Sequence, residues 1–233
     1  MKKLLLALSV AAFITSCKSP ETRIYFDVEY LGERVVPNET YSKGDTVFKF
    51  DLFHYYLSNV LLNDHMVADV IFADQQVDDS FGTLITVDDW GGKKINDITF
   101  GVGLDSIQNA QSPAGFSNDH PLSSLNAMYW SWATKYRFIK IDGRVNSTGT
   151  FGAEDQLLAW HTGMDELYRT VTLELPVQAE AGDVIRVVLQ LEQLMDGVSL
   201  ATETVTHTAP EDYEIAVKLS NNAAKAWRVE LVQ

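Results

Sequence analysis

The sequence predicts an all-β protein: an antiparallel β-sandwich of the immunoglobulin or cupredoxin two-sheet kind, with one long loop and one or two short helices. Three observations predict it. Apolar and polar residues alternate with period two through most of the chain, which sends successive side chains to opposite faces of a strand. Turn signals at Gly143, Gly149, Gly152 and Gly182 separate the alternating runs. The runs are short and numerous, as two packed sheets require. Apolar residues make up 46% of the 233 residues, enough for one sizeable core.

The elements follow in order. Residues 24–30 open as a strand, 47–53 alternate cleanly, and 55–62 continue the β character. Residues 84–87, 98–102, 136–141, 157–161, 169–175 and 184–191 read as further short strands. A helix is expected over 208–220. Thr208 and Glu211 have capping-box spacing, Pro210 sits in the first turn, Ile215 and Leu219 share a face, and Asn221 with Asn222 ends it. A shorter helix is expected after Asp119, with Pro121 in its first turn. Residues 104–125 otherwise read as a long loop rich in Asn, Ser, Pro and Gly, a length that is functional or mobile in compact domains.

The start of the chain carries an address. Lys2 and Lys3 precede an apolar run over 4–14, too short to span a bilayer. Thr15 and Ser16 then lead to Cys17, the single cysteine, in an arrangement that resembles a bacterial lipobox. The expected division is a signal peptide over 1–16, a lipidated tether over 17–23 and one domain over 24–233, held in the cell envelope on the periplasmic or outer-membrane face. An ordinary secretory peptide is the other reading. One cysteine allows no disulfide within the chain, so the fold rests on burial, or on burial plus a bound ion. The formal charge is −14, and loss of Lys2 and Lys3 makes it two units more negative. A surface of that sign excludes nucleic acid and suits cations or a basic partner.

Catalytic signatures are poor, and no enzyme activity is expected. The chain has no Gly-x-Ser-x-Gly elbow and no phosphate-cradling loop. Gly101 and Gly103 follow a strand without the third glycine and helix of a dinucleotide site. Asp165 and Glu166 are adjacent on one loop, where a carboxylate pair seldom straddles a substrate bond. Asp74, Asp78, Asp79, Asp88 and Asp89 lack EF-hand spacing and read as solvated.

Of five histidines, His65 reads as solvated in a hairpin turn and His120 as a turn residue. His54 lies where two strand-like runs meet, either facing a pocket or partly buried. His161 ends a strand after Trp160, ahead of a Thr162-Gly163 break, which places its imidazole at a sandwich rim. His207 stands just before the last helix, also at an edge. Two imidazoles from distant segments suit copper or zinc. The spacing itself carries no His-x-His, Cys pair or helical zinc motif.

The densest aromatic stretch is 126–143, with Trp130, Trp132, Tyr129 and Tyr136. It reads as a packing nucleus or as a site lined by oxidisable rings. Here the chain resembles the MbnP-like copper-binding proteins, named from methanobactin gene clusters and common as lipoproteins in Bacteroidota. YYLSNV at 55–60 is similar to an early YYLSN strand of that family, and ITFGVGLDS at 98–106 to its isFgiGvDs segment. NAMYWSW at 126–132 with YRFIKIDG at 136–143 resembles its nGMyWtW…GYiflkleG core. WHTG at 160–163 resembles the later fHlG element, and His207 with NAAKAW at 222–227 the C-terminal histidine and helix end. Ala127 stands where the family usually has glycine, and Lys135 where a second glycine is expected.

The resemblance implies an envelope β-sandwich that binds one copper ion, with His161 and His207 as candidate ligands and His54 as a further candidate. It also implies oxidation of one tryptophan to kynurenine by a di-haem cytochrome c peroxidase-like partner, with Trp130, Trp132 and Trp160 all open. An aniline-type nitrogen has the lone pair that an indole N–H lacks. The competing expectation is a metal-free surface sandwich that binds a glycan or envelope protein through Trp130, Trp132 and Tyr136.

Overall fold

The computed structural model describes residues 20–75, 82–88, 90, 93–130 and 134–232. Cys17, Asp78, Asp79, Asp89 and Trp132 lie outside them. The strands, in chain order, are β1 (Thr22–Tyr30), β2 (Glu33–Arg34), β3 (Tyr41–Lys43), β4 (Thr46–Leu62), β5 (His65–Asp74), β6 (Thr83–Val87) and β7 (Ile95–Val102). After them come β8 (Tyr129–Trp130), β9 (Lys135–Asn146), β10 (Gln156–Gly163), β11 (Arg169–Ala179), β12 (Val184–Gln190), β13 (Val205–Thr206) and β14 (Trp227–Val232). Among the described residues, three short α-helices interrupt them: α1 (Ser106–Asn109), α2 (Leu191–Leu194) and α3 (Tyr213–Ala223).

Two sheets pack face to face. A five-stranded sheet runs β14-β12-β1-β2 with β6 also on β1. A nine-stranded sheet runs β11-β7-β4-β9-β10-β13, with β3 and β5 on β4 and β8 on β9. The two-layer β architecture is the one the alternation predicts. Two pairings are parallel, β1 with β12 and β10 with β13, so both sheets are mixed.

The runs expected at 47–53 and 55–62 form one strand. β4 is 17 residues long and is shared along its length. Tyr55 pairs with Ala73 on β5 and Ile139 on β9, while Leu57 pairs with Ile71 on β5 and Val102 on β7. Around Tyr55 and Tyr56 both faces of β4 are covered, which is why alternation fades there. One face joins the main core between the sheets, built on Phe26, Phe48, Phe53, Phe100, Trp160 and Trp227. The other joins a smaller core of Tyr56, Leu104, Leu122, Met128, Tyr136 and Phe138.

That second core explains the long loop. Residues 104–125 form an ordered cover on the outer face of the nine-stranded sheet. Asp105 caps α1 through the amides of Ile107 and Gln108, and the Gln108 side chain completes the capping box. The hydroxyl of Tyr56 donates to the Pro121 carbonyl at 3.0 Å, and that of Tyr136 to the Leu122 carbonyl at 3.0 Å. In place of the helix expected after Asp119 there are turns and a 3-10 segment, Ser124–Asn126.

The last helix also starts later than expected. Thr208 has φ 61°, outside helical space, and its hydroxyl donates to the His161 carbonyl at 2.8 Å. A residue committed in this way cannot cap. α3 begins at Tyr213 and runs through Asn221 and Asn222 to Ala223.

Candidate metal centre

β10 sets the site through strand alternation. Trp160 points inward, fully buried, and its indole N–H donates to the Glu203 carbonyl at 2.9 Å. His161, the next residue, therefore points to the outer face. Just beyond it the register of β10 against β9 shifts at Thr162/Gly163. A Cβ on Gly163 would sit 2.5 Å from Thr134 Cβ and 2.8 Å from the Tyr136 carbonyl oxygen. Only glycine admits the β9 backbone this closely.

His207 arrives from β13. The pairing of Trp160 with Thr206 sets the residue after Thr206 alongside the residue after Trp160. Asp212 then clamps the turn. One carboxylate oxygen accepts the His207 amide at 3.0 Å, and the other accepts the Ala209 amide at 2.8 Å and the Thr206 hydroxyl at 2.9 Å. The result is a pair of imidazoles with Nδ1 atoms 3.0 Å apart and ring centroids 4.7 Å apart.

Asp142 on β9 completes the arrangement. Its Oδ1 lies 2.6 Å from His161 Nε2, and its Oδ2 lies 3.8 Å from Lys140 Nζ. Burial would push the Asp142 carboxyl up, but the bond to His161 holds it below the usual carboxylate range. A carboxylate only accepts, so His161 Nε2 carries the hydrogen and His161 Nδ1 presents a lone pair to His207. Burial also pushes the His161 imidazole down, outweighing the opposite pull of Asp142, and this favours its neutral, ligating form.

Trp130 lies at the rim, half-buried, its ring edge-on to His207 with centroids 5.4 Å apart. The Arg137 guanidinium covers the same indole at 4.6 Å, within cation–π range, and donates to the Ala127 carbonyl at 3.1 Å. Ala127 and Lys135 bracket this segment, both in left-handed backbone, with φ 52° and 62°. Both positions hold a backbone conformation that suits glycine better than the residues present.

The other candidates lie elsewhere. His54 and His161 both pair with Lys140, one from each side of β9. That places His54 two strands from His161, about 10 Å at ordinary strand spacing. His54 is instead 3.1 Å from Asp74 Oδ1 and packs on Phe72. His65 is exposed and edge-on to Trp90, and His120 accepts the Leu122 amide while stacking on Phe116. Trp160 is a core residue, and Tyr136 is fully buried and so presents no stacking surface. Asp165 and Glu166 share one turn, beside a cavity of about 200 Å³ also lined by Asn109, Lys135 and Met164. Among the described residues, no three His, Cys, Asp or Glu side chains converge on a common point.

Sequence reasoning missed Asp142, Arg137, Thr208 and Asp212. The period-two signal puts Asp142 on the same face as Lys140, but only the register of β9 on β10 brings it to an imidazole.

Comparison with known proteins gives the fold and the family. The MbnP family profile matches residues 19–211, a span that includes Trp130, Asp142, His161 and His207. The solved structure of MbnP from Methylosinus trichosporium superposes with a TM-score of 0.55 at 12% identity, covering 93% of this chain and 100% of that one. At that identity the likeness speaks for the fold. No curated protein matches the chain. On the extent of the profile match and the shared fold, the chain belongs to the MbnP family.

Proposed function

We propose that this protein binds and handles copper in the cell envelope, with copper as its cargo and no turnover of its own. The observation that carries the reading is the imidazole pair. Two Nδ1 atoms 3.0 Å apart are nearer than twice a metal–nitrogen bond of about 2.0–2.1 Å, so one ion can reach both. Neutral imidazole suits copper, and Asp142 behind His161 is the outer partner that metal-bound histidines ordinarily have. Membership of the MbnP family supports a methanobactin-associated role, and the lipobox-like segment before Cys17 supports a lipid anchor.

Among the described residues, Trp130 is the tryptophan best placed to supply a further donor. Oxidation with peroxide as co-substrate would add one oxygen to each of C2 and C3 as the bond between them breaks, and hydrolysis would then release C2 as formate, leaving a ketone and an aryl amine with a lone pair where an N–H only donated. A di-haem cytochrome c peroxidase-like partner is the proposed oxidant. Trp130 stands at the rim against His207, whereas Trp160 is sealed in the core with its N–H already bonded.

Stoichiometric copper titration tests the main claim. The mature protein is expected to take up one copper per chain, and His161→Ala or His207→Ala to lose it. Uptake that survives both substitutions sinks the reading. Peptide mapping of natively isolated protein tests the second claim: the Trp130 peptide should have gained oxygen and lost one carbon. An unmodified Trp130 beside a modified Trp132 or Trp160 would contradict it.

A further inference from the structure

We propose that Asp142 is a positioning residue for the metal. It fixes His161 as the Nε2–H tautomer and aims Nδ1 at His207, so that Nδ1 is the ligating atom of His161. The proposal rests on the copper reading for its consequence but not for its geometry.

The two nitrogens of an imidazole are separated by one ring carbon and point away from each other. A partner on one of them therefore decides what the other can do. Asp142 Oδ1 takes Nε2 at 2.6 Å, a short contact, and bonds to an ionised carboxylate are shorter than neutral ones. The remaining nitrogen faces His207 Nδ1 at 3.0 Å. The ring is also pinned from its backbone, where the Thr208 hydroxyl donates to the His161 carbonyl at 2.8 Å. Rotation about the side chain would break the Asp142 bond and the His207 contact together.

Asp142 is itself steered. Lys140 lies two residues earlier on the same face, 3.8 Å from Oδ2, which leaves Oδ1 for the imidazole. Without Asp142, neutral His161 is free to carry its hydrogen on Nδ1, which would point at His207 and block the ion. The carboxylate also raises the basicity of the ligating nitrogen, and loss of such an outer partner ordinarily costs about 10–100-fold in metal affinity.

The test has a metal-free arm and a copper arm. In metal-free protein labelled with ¹⁵N-histidine, long-range proton–nitrogen correlation reads which nitrogen of each ring holds hydrogen. His161 is expected as Nε2–H in the wild type and as a mixture of tautomers in Asp142→Ala. Asp142→Asn keeps an accepting oxygen without the charge, so the tautomer should persist with a smaller loss of affinity. Chelator-competition titration should show copper affinity falling about 10–100-fold in Asp142→Ala, with recovery in Asp142→Glu. Unchanged thermal midpoints across the series separate positioning from unfolding. His161 found as Nδ1–H in the wild type overturns the proposal, and so does wild-type affinity in Asp142→Ala. Failure of the wild type to take up copper while His161 is Nε2–H overturns the copper reading and leaves the tautomer assignment standing.

Discussion

The outer faces of the two sheets both carry rows of charged or titratable side chains, and the rows are built on opposite principles. On the five-stranded sheet, Arg186 bridges Asp27 at 2.6 Å, Glu29 at 2.6 Å and Glu230 at 3.0 Å. Arg34 adds a second contact to Asp27 at 3.2 Å, and Arg228 contacts Glu29 and Glu230. Three guanidiniums meet three carboxylates. Burial would lower the Arg186 pKa, yet the surrounding carboxylates raise it, and the arginines hold Glu230 below its usual range. Each of the three carboxylates is paired with two guanidiniums. On the nine-stranded sheet the row runs from Asp74 through His54, Lys140 and Asp142 to His161 and His207. It ends with two ring nitrogens facing each other at 3.0 Å. Closed charge networks are structural; nitrogens held lone pair toward neighbour leave a place that a cation can take.

Breaking the closed row should produce the largest effect on stability. Asp27 has a fully buried side chain, so Asp27→Ala strands part of two guanidiniums and is expected to cost about 3–5 kcal/mol in chemical denaturation, with copper uptake unchanged. A copper defect in that variant would show that the two faces are coupled. Breaking the open row should do the reverse. His161→Ala is expected to weaken copper at least a hundredfold, about 3 kcal/mol of binding, while the fold persists by circular dichroism.

A smaller effect concerns acid. Burial lowers the pKa of both His54 and His161 below 6.5. A folded-state pKa below the unfolded one means that the folded protein resists protonation. The contribution is complete above pH 6.5 and is lost as pH falls below it toward the folded values. Asp142, also lowered, adds stability that disappears only at still lower pH, below its ordinary 3.8. Replacing His54 by Phe should flatten the decline that begins near pH 6.5, since His54 Nδ1 is buried without a hydrogen-bond partner. An identical pH profile in that variant would assign the decline to other groups.

The smallest effect is at the loop that holds Trp130. Ala127→Gly and Lys135→Gly should each stabilise by about 1 kcal/mol, because left-handed backbone costs other residues more than glycine's extra chain entropy does. Lower thermal midpoints in both variants would show that the Ala127 and Lys135 side chains contribute packing that outweighs their backbone strain.

The orientation of the candidate site was legible in the sequence; its assembly was not. Alternation places Trp160 and His161 on opposite faces, and Gly163 marks the break beside them. That His207 meets His161 depends on β13, a two-residue parallel strand with no alternation to read. His54 shares the histidine chemistry, but the register of β4 on β9 leaves Lys140 between it and His161. β5 and β14 escaped notice because one has only two of its ten residues buried and the other is separated from a helix by three residues. The capping signal at Thr208 was genuine chemistry put to another use, since its hydroxyl serves the His161 carbonyl.

The central claim is that two imidazoles from distant segments share one copper. A crystal structure grown with copper and measured at the copper absorption edge tests it most directly. The account predicts one anomalous peak bonded to Nδ1 of both His161 and His207, with His161 Nε2 still on Asp142. A peak at His54, at His65 or among the acidic turns, with the His161–His207 pair left unliganded, would contradict it.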